Sequence, residues 1–331
     1  MPFAFDAPPP RAARHWPVWC GIGLLALLAR LPWRFQRALG RGVGTLLRWT
    51  LRSRRDIAAR NLALCFPELD ERARDALLRA HFTALGISLF EFGRAWWGSV
   101  EPQRRGLVVE GVEHLDAAQA RGKGTIVVSG HFTTLEMCAR LACDHAPLAG
   151  MYRQYPQAAM EWAVLRGRSR YAAGMFTKQD VRGAVKHLKR GGLLWYAPDQ
   201  DPSRGDSVFV PFFGQPANSL SSTHQLARLS GAAVVMFQHW RRDDGGYTLR
   251  FWPAFEDFPS TDATTDTARV IAAIETMARQ APEQYLWIHR RFKRRPDGVS
   301  PCGDASRRRG WSSFAASPEA PTPPAASRCS A

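Results

Sequence analysis

Thr125-Ile-Val-Val-Ser-Gly-His-Phe-Thr-Thr-Leu-Glu-Met137 is the stretch whose reading decides the fold. Its first five residues form a β-branched run, the pattern of a buried strand. Gly130 permits a sharp turn where the strand ends. His131 lies in that turn, and Glu136 comes five residues later. On a single helix, positions five apart point ~140° away from each other, since each residue turns ~100°. The two side chains converge only if His131 sits in the turn and Glu136 in the first turn of the next helix. Thr133 and Glu136 have the Thr-x-x-Glu spacing of a capping box, which places a helix over 133–145. A turn histidine beside a helix-borne carboxylate is a candidate general base, able to take a proton from an attacking hydroxyl. Each residue also has a plainer reading, as a hydrogen-bonded turn histidine and a capping glutamate.

Outward from this stretch, strand and helix signals alternate. Strands are expected at 125–129, 148–152, 193–197, 233–238 and 247–252, and helices at 133–145, 157–170, 180–190, 219–230 and 263–280. Ahead of them, residues 55–66 read as a helix ending before Pro67. Asp70 caps a second over 71–92. The alternation predicts an α/β fold, a central, largely parallel sheet flanked by helices. In such sheets reactive groups gather beyond the carboxyl ends of the strands. His131 follows one such end, and Asp199 and Asp201 follow another. Arg166, Arg168 and Arg170 close a helix that comes after Tyr152-Arg153. Guanidinium forks bind phosphate and carboxylate and can steady an oxyanion. Cations at a helix C-terminus are equally expected from the helix dipole. The apolar Asp206–Gly214 segment can line a hydrocarbon pocket, dip into a membrane or simply pack as core.

The chain of 331 residues carries 45 Lys+Arg against 29 Asp+Glu, a formal charge of +16. That excess calls for an anionic partner: nucleic acid, an anionic membrane, or acidic substrates and carriers. The cations of Arg290–Arg295 read as an anion clamp. Six scattered cysteines, with no Cys-x-x-Cys or His-x-x-x-His spacing, point away from a structural metal and toward a reducing compartment. No Walker or Gly-x-Gly-x-x-Gly pattern marks a nucleotide site. Trp16–Ala29 is apolar but shorter than the ~20 residues that span a bilayer comfortably. Trp16, Trp19 and Trp33 flank it, and arginines but no acidic residue follow until Asp56. A thin span and a helix lying at the surface both fit, with the basic side cytoplasmic. The expected organisation is a disordered N-terminus (1–15), a membrane anchor and basic juxtamembrane helix (16–52), a catalytic body (53–297) and a disordered tail (298–331).

Seven segments together carry a family resemblance. They are Asn61–Glu68, His131-x4-Glu136, Tyr152-Arg153, Arg166-Gly-Arg168, Trp195–Asp201, Val208–Phe213 and Pro282–Lys293. In this order they resemble the secondary acyltransferases of lipid A biosynthesis, nearest to the lauroyl branch. The resemblance implies a glycerolphosphate-acyltransferase-like fold behind an N-terminal hydrophobic anchor helix, with the catalytic domain on the cytoplasmic side of a Gram-negative inner membrane. It implies acyl transfer from acyl carrier protein to the hydroxyl of a 3-hydroxyacyl chain on a Kdo-bearing lipid A precursor, with no cofactor, metal or nucleic acid. The donor is lauroyl or another length, such as myristoyl or palmitoleoyl. His131 and Glu136 occupy the catalytic His-x4-Asp/Glu positions. Arg168 and Asp199, with Arg166 and Arg153 nearby, fall at positions for substrate or oxyanion binding. A different class, a membrane-tethered module that binds anions without chemistry, matches the charge alone.

Overall fold

The computed structural model describes residues 2–202 and 205–296. Four N-terminal helices come first: α1 (Trp16–Leu28), α2 (Trp33–Thr50), α3 (Arg52–Cys65) and α4 (Glu71–Trp97), then the short α5 (Glu101–Arg105). The α/β body follows as β1 (Leu107–Glu110), α6 (Val112–Gln119), β2 (Thr125–Val128), α7 (Leu135–Ala142), β3 (Leu148–Tyr152), α8 (Ala158–Arg168), β4 (Gly174–Thr177), α9 (Val181–Lys189) and β5 (Leu193–Tyr196). A hairpin, β6 (Ser207–Phe212) and β7 (Gln215–Leu220), interrupts it before α10 (Ser222–Ser230), β8 (Ala233–Arg241), β9 (Tyr247–Phe251) and α11 (Ala263–Gln280).

Seven strands form one sheet in the order β1-β9-β8-β2-β5-β3-β4. All neighbours are parallel except β8 and β9. β2 is the sheet's centre for a local reason. Its Ile126, Val127 and Val128 are all fully buried, each worth ~1.5–3 kcal/mol against exposure. Ile126 and Val128 face a core shared with α9, α10 and α11. Val127 faces the opposite core, with Met137, Cys138 and Leu141 of α7 and Val164 of α8.

α2 is clamped to α4 along a glycine seam. A Cβ at Gly44 would lie 2.2 Å from the Phe82 carbonyl oxygen, and one at Gly86 would lie 2.1 Å from that of Gly40. Arg94 of α4 locks the same corner, donating to Gln36 Oε1 and to the carbonyls of Ser99 and Leu31. Among the described residues no helix is long and apolar enough to cross a membrane. Of the two expectations for the N-terminal anchor, the thin span is not found among the described residues. α1 has only 13 residues, ~20 Å at 1.5 Å per residue against a ~30 Å hydrocarbon layer. Residues 2–12, expected to be disordered, carry no helix but lie along α8. There Phe3 N donates to Ala172 O and Trp162 Nε1 to Ala7 O. The tail over 298–331 lies outside the described residues.

Other boundaries moved as well. α7 begins at Leu135, with Thr134 at its cap and no side-chain capping bond, and the Thr133 hydroxyl has no partner. The capping box is therefore not formed, because the Thr133 N–H is committed to Gln284 O instead. The aromatic run near 206–214 is a hairpin rather than a loop, and its Val210, Phe212 and Phe213 are core. β1 and β4 stand outside the expected strands: each is only partly buried along its length, whereas the equally short β2 and β5 are nearly fully buried apolar runs.

Candidate active site

β2 and β5 are parallel neighbours with Val128 opposite Tyr196. Three residues beyond each of those partners stand His131 and Asp199. The register alone therefore brings the imidazole and the carboxylate to one point on the rim of the sheet. His131 Nδ1 lies 2.5 Å from Asp199 Oδ1, and the His131 backbone N–H donates to Oδ2 at 2.8 Å. The Tyr285 hydroxyl donates to the same Oδ2 at 2.9 Å. Gly130 makes this approach possible. A Cβ there would lie 2.9 Å from Ile274 and 3.3 Å from Asp199 Oδ2.

Asp199 is 1% exposed. Burial would raise its pKa, but the electrostatic pull of His131, the two bonds from it and nearby Arg291 outweigh burial and hold the carboxyl below the usual carboxylate range. The ionised carboxylate can only accept, so Nδ1 carries the proton. Nε2, with no partner among the described residues, is left as the basic nitrogen. The His131 side chain keeps 27% of its surface exposed, enough to be reached.

A buried histidine steadies the turn from behind. His239 on β8 bonds Ser129 through Nε2 at 3.2 Å and Thr134 through Nδ1 at 3.0 Å, spanning the two ends of the turn that holds His131. Burial pushes His239 down to about 3, so it stays neutral. The segment after α11 adds a second brace. Thr133 N donates to Gln284 O and Leu286 N to His131 O, which carries Tyr285 to Asp199.

Glu136 does not meet His131, a correction to the spacing argument. It is 1% exposed on the inner face of α7. Its oxygens accept from Arg168 Nε (3.0 Å) and Nη2 (2.8 Å), Trp96 Nε1 (2.5 Å) and the Tyr171 hydroxyl (2.5 Å). Burial raises the Glu136 pKa, yet Arg168 and these donors leave it lowered overall. Gly167 explains the Arg-Gly-Arg segment. A Cβ there would lie 2.4 Å from the Trp96 ring, the ring that reaches Glu136.

Arg166 and Arg153 are exposed and outside this site, and Arg166 donates to Phe5 O at 3.5 Å. Asp201 accepts from Asn218 Nδ2 instead of facing the reactive rim. Arg291, expected in a surface clamp, is buried and bonds Asn218 O and the Ser219 hydroxyl. Tyr285 sits in a quoted motif, yet no local signal assigned it to Asp199. Trp96 and Tyr171 were likewise invisible as partners of Glu136.

A narrow apolar pocket of about 40 Å³, too small for a whole acyl chain as it stands, opens near the dyad. Glu136 and Arg168 stand on its wall, and Leu135, Leu148, Met151 and Met175 give it a hydrocarbon lining. Trp195, another wall residue, meets the His131 ring edge-on at 6.5 Å between centroids. Among the described residues no group of three or more His, Cys, Asp or Glu could hold a metal ion.

A His–Asp base on the rim of an α/β sheet, near a hydrocarbon-lined pocket, has the parts an acyltransferase needs. The chain belongs to the bacterial lipid A biosynthesis acyltransferase family, whose model matches residues 7–294. It is 40% identical to the lipid A biosynthesis lauroyltransferase of Escherichia coli (strain K12), over 86% of this chain and 94% of that protein. It is 39% identical to the palmitoleoyltransferase of the same strain, over 87% and 94%. A 1-acyl-sn-glycerophosphate acyltransferase structure from Thermotoga maritima aligns at a TM-score of 0.35 and 17% identity, covering 79% of this chain and 96% of that one.

Proposed function

We propose that this acyltransferase moves a lauroyl or similar chain from acyl carrier protein to the hydroxyl of a 3-hydroxyacyl chain on a Kdo-bearing lipid A precursor. The observation that carries the reading is the His131–Asp199 pair, its imidazole edge-on to Trp195 on the wall of the apolar pocket. His131 Nε2 takes the acceptor's hydroxyl proton as the oxygen attacks the thioester carbonyl carbon. Asp199 balances the imidazolium that forms. The C–S bond then breaks, and His131 returns the proton to the departing thiolate. Base catalysis of this kind contributes ~10²–10⁴-fold. Arg168, on the cavity wall, supplies positive charge for the oxyanion, and Glu136 holds its guanidinium in place. No acyl-enzyme is needed.

The reaction is read as taking place on the cytoplasmic face of the inner membrane. Large apolar side chains stand exposed along α1 and α2, among them Trp16, Leu24, Leu27, Phe35, Leu39, Leu46 and Trp49. From Ala7 to Arg55 the chain holds arginines and no acidic residue. Such a pair of helices suits the plane of an anionic interface. The donors named among the relatives, lauroyl, palmitoleoyl and myristoyl, support a donor of about twelve to sixteen carbons.

The test is Asp199→Asn in purified protein, with His131→Ala beside it. Acyl transfer should fall by about 10²–10⁴-fold in each while thermal stability stays within a few degrees for His131→Ala. Wild-type rates in both would refute the dyad. Mass spectrometry of lipid A from a strain lacking the protein should show one secondary acyl chain missing.

A further inference from the structure

The reading above names a donor but not where it lands. On the sheet face away from the cavity, α9 and α10 border an open groove. Its walls carry Arg182, Lys186, Lys189 and Arg190, and its floor the apolar Val181, Val185 and Leu229. Val181 is 40% and Leu229 49% exposed. Arg228 adds a fifth exposed cation on α10. None of the five cations meets a carboxylate among the described residues, although arginines elsewhere on the chain commonly do. Asp180, the acidic neighbour at the start of α9, is committed to capping Gly183 N.

Three features favour a soluble acidic protein over lipid headgroups as the occupant. First, the combination is that of a docking surface, with cations around an apolar strip able to seat an acidic amphipathic helix. Second, the groove lies across the sheet from α1, the more apolar of the two helices read as lying at the membrane. α9 shares its core with α10 and α11. α1, with its exposed apolar side chains, packs on α4 and α8 across the sheet. Third, one end of the groove borders the reactive rim, while Lys189, Arg190 and Leu229 lie toward the amino ends of the strands. β4 runs parallel to the inner strands, so Thr177 is at their carboxyl end, and Val181 opens α9 just beyond it.

We infer that the α9–α10 groove docks the acidic acyl carrier protein and so brings its thioester arm toward His131. The inference rests on the carrier-donor reading given above. The test is Lys186→Glu/Lys189→Glu/Arg190→Glu, all exposed and unpaired and none in the catalytic machinery. Binding of fluorescently labelled holo acyl carrier protein is followed by anisotropy, and transfer is measured with acyl carrier protein and with acyl-pantetheine as donors. The expected result is at least a tenfold rise in Kd and in KM for the carrier-bound donor, with kcat and the acyl-pantetheine rate unchanged and a weaker salt dependence. The milder Lys186→Gln/Lys189→Gln variant should shift both in the same direction. Unchanged carrier affinity in both variants would overturn the docking site. So would equal losses with both donors, the signature of headgroup binding or a damaged fold. If the wild-type protein binds the carrier but transfers nothing from either donor, the donor reading itself fails while the groove stands.

Discussion

Glu136→Gln separates the arrangement seen here from the one expected by spacing. If Glu136 oriented His131, the substitution would slow acyl transfer and leave the fold alone. In the structure it instead strips the counter-charge from Arg168, whose side chain is only 18% exposed. The new amide would set N–H donors against the guanidinium's own N–H groups. Only one oxygen would remain for the four donors that Glu136 now accepts. Breaking a buried pair by removing one partner costs ~3–5 kcal/mol. The partial exposure of Arg168 lets water compensate, so ~3 kcal/mol is the better figure. For a domain of this size that lowers Tm by roughly 6–12 °C at 2–4 °C per kcal/mol. Thermal melts of purified Glu136→Gln read the loss directly. Glu136→Gln with Arg168→Met should recover most of it, since replacing both members of a buried pair by packable groups is often neutral. The reasoning is refuted if Glu136→Gln melts with wild type, or if the double variant is no more stable than the single one.

Buried neutral histidines should make the fold acid-sensitive. Burial lowers His81 to about 4 despite its bond to Glu283 O, and His239 to about 3. A depressed base is protonated first in the unfolded chain, so stability is complete above the unfolded value near 6.5 and falls as pH drops toward 4. His81 alone accounts for ~3 kcal/mol over that window. Urea unfolding across pH 4–7 should show His81→Phe with a shallower slope by about one proton, and an unchanged slope would contradict its burial as a neutral ring. In the cavity, a Cβ at Gly150 would sit 3.3 Å from Met175 Cε and Sδ. Gly150→Leu should therefore shorten the acyl chain accepted, read by mass spectrometry of products from mixed donors. An unaltered chain-length profile would move the hydrocarbon site elsewhere.

Much of this protein is written locally. The β-branched run ending at Gly130 marks β2, and periodicity marks most helices, because those patterns depend on neighbours within a few residues. The placement of His131 and Asp199 after strand ends was legible for the same reason. What no window of sequence holds is strand order. Asp199 reaches His131, 68 residues away, only because β5 pairs with β2 in a register that sets Tyr196 opposite Val128. Glu136, five residues away, was nearer along the chain and lost. α7 turns it inward to Arg168, Trp96 and Tyr171, three donors drawn from α4, α8 and the turn after α8. A buried carboxylate takes whichever donors packing brings within hydrogen-bonding distance, and that choice belongs to the tertiary structure.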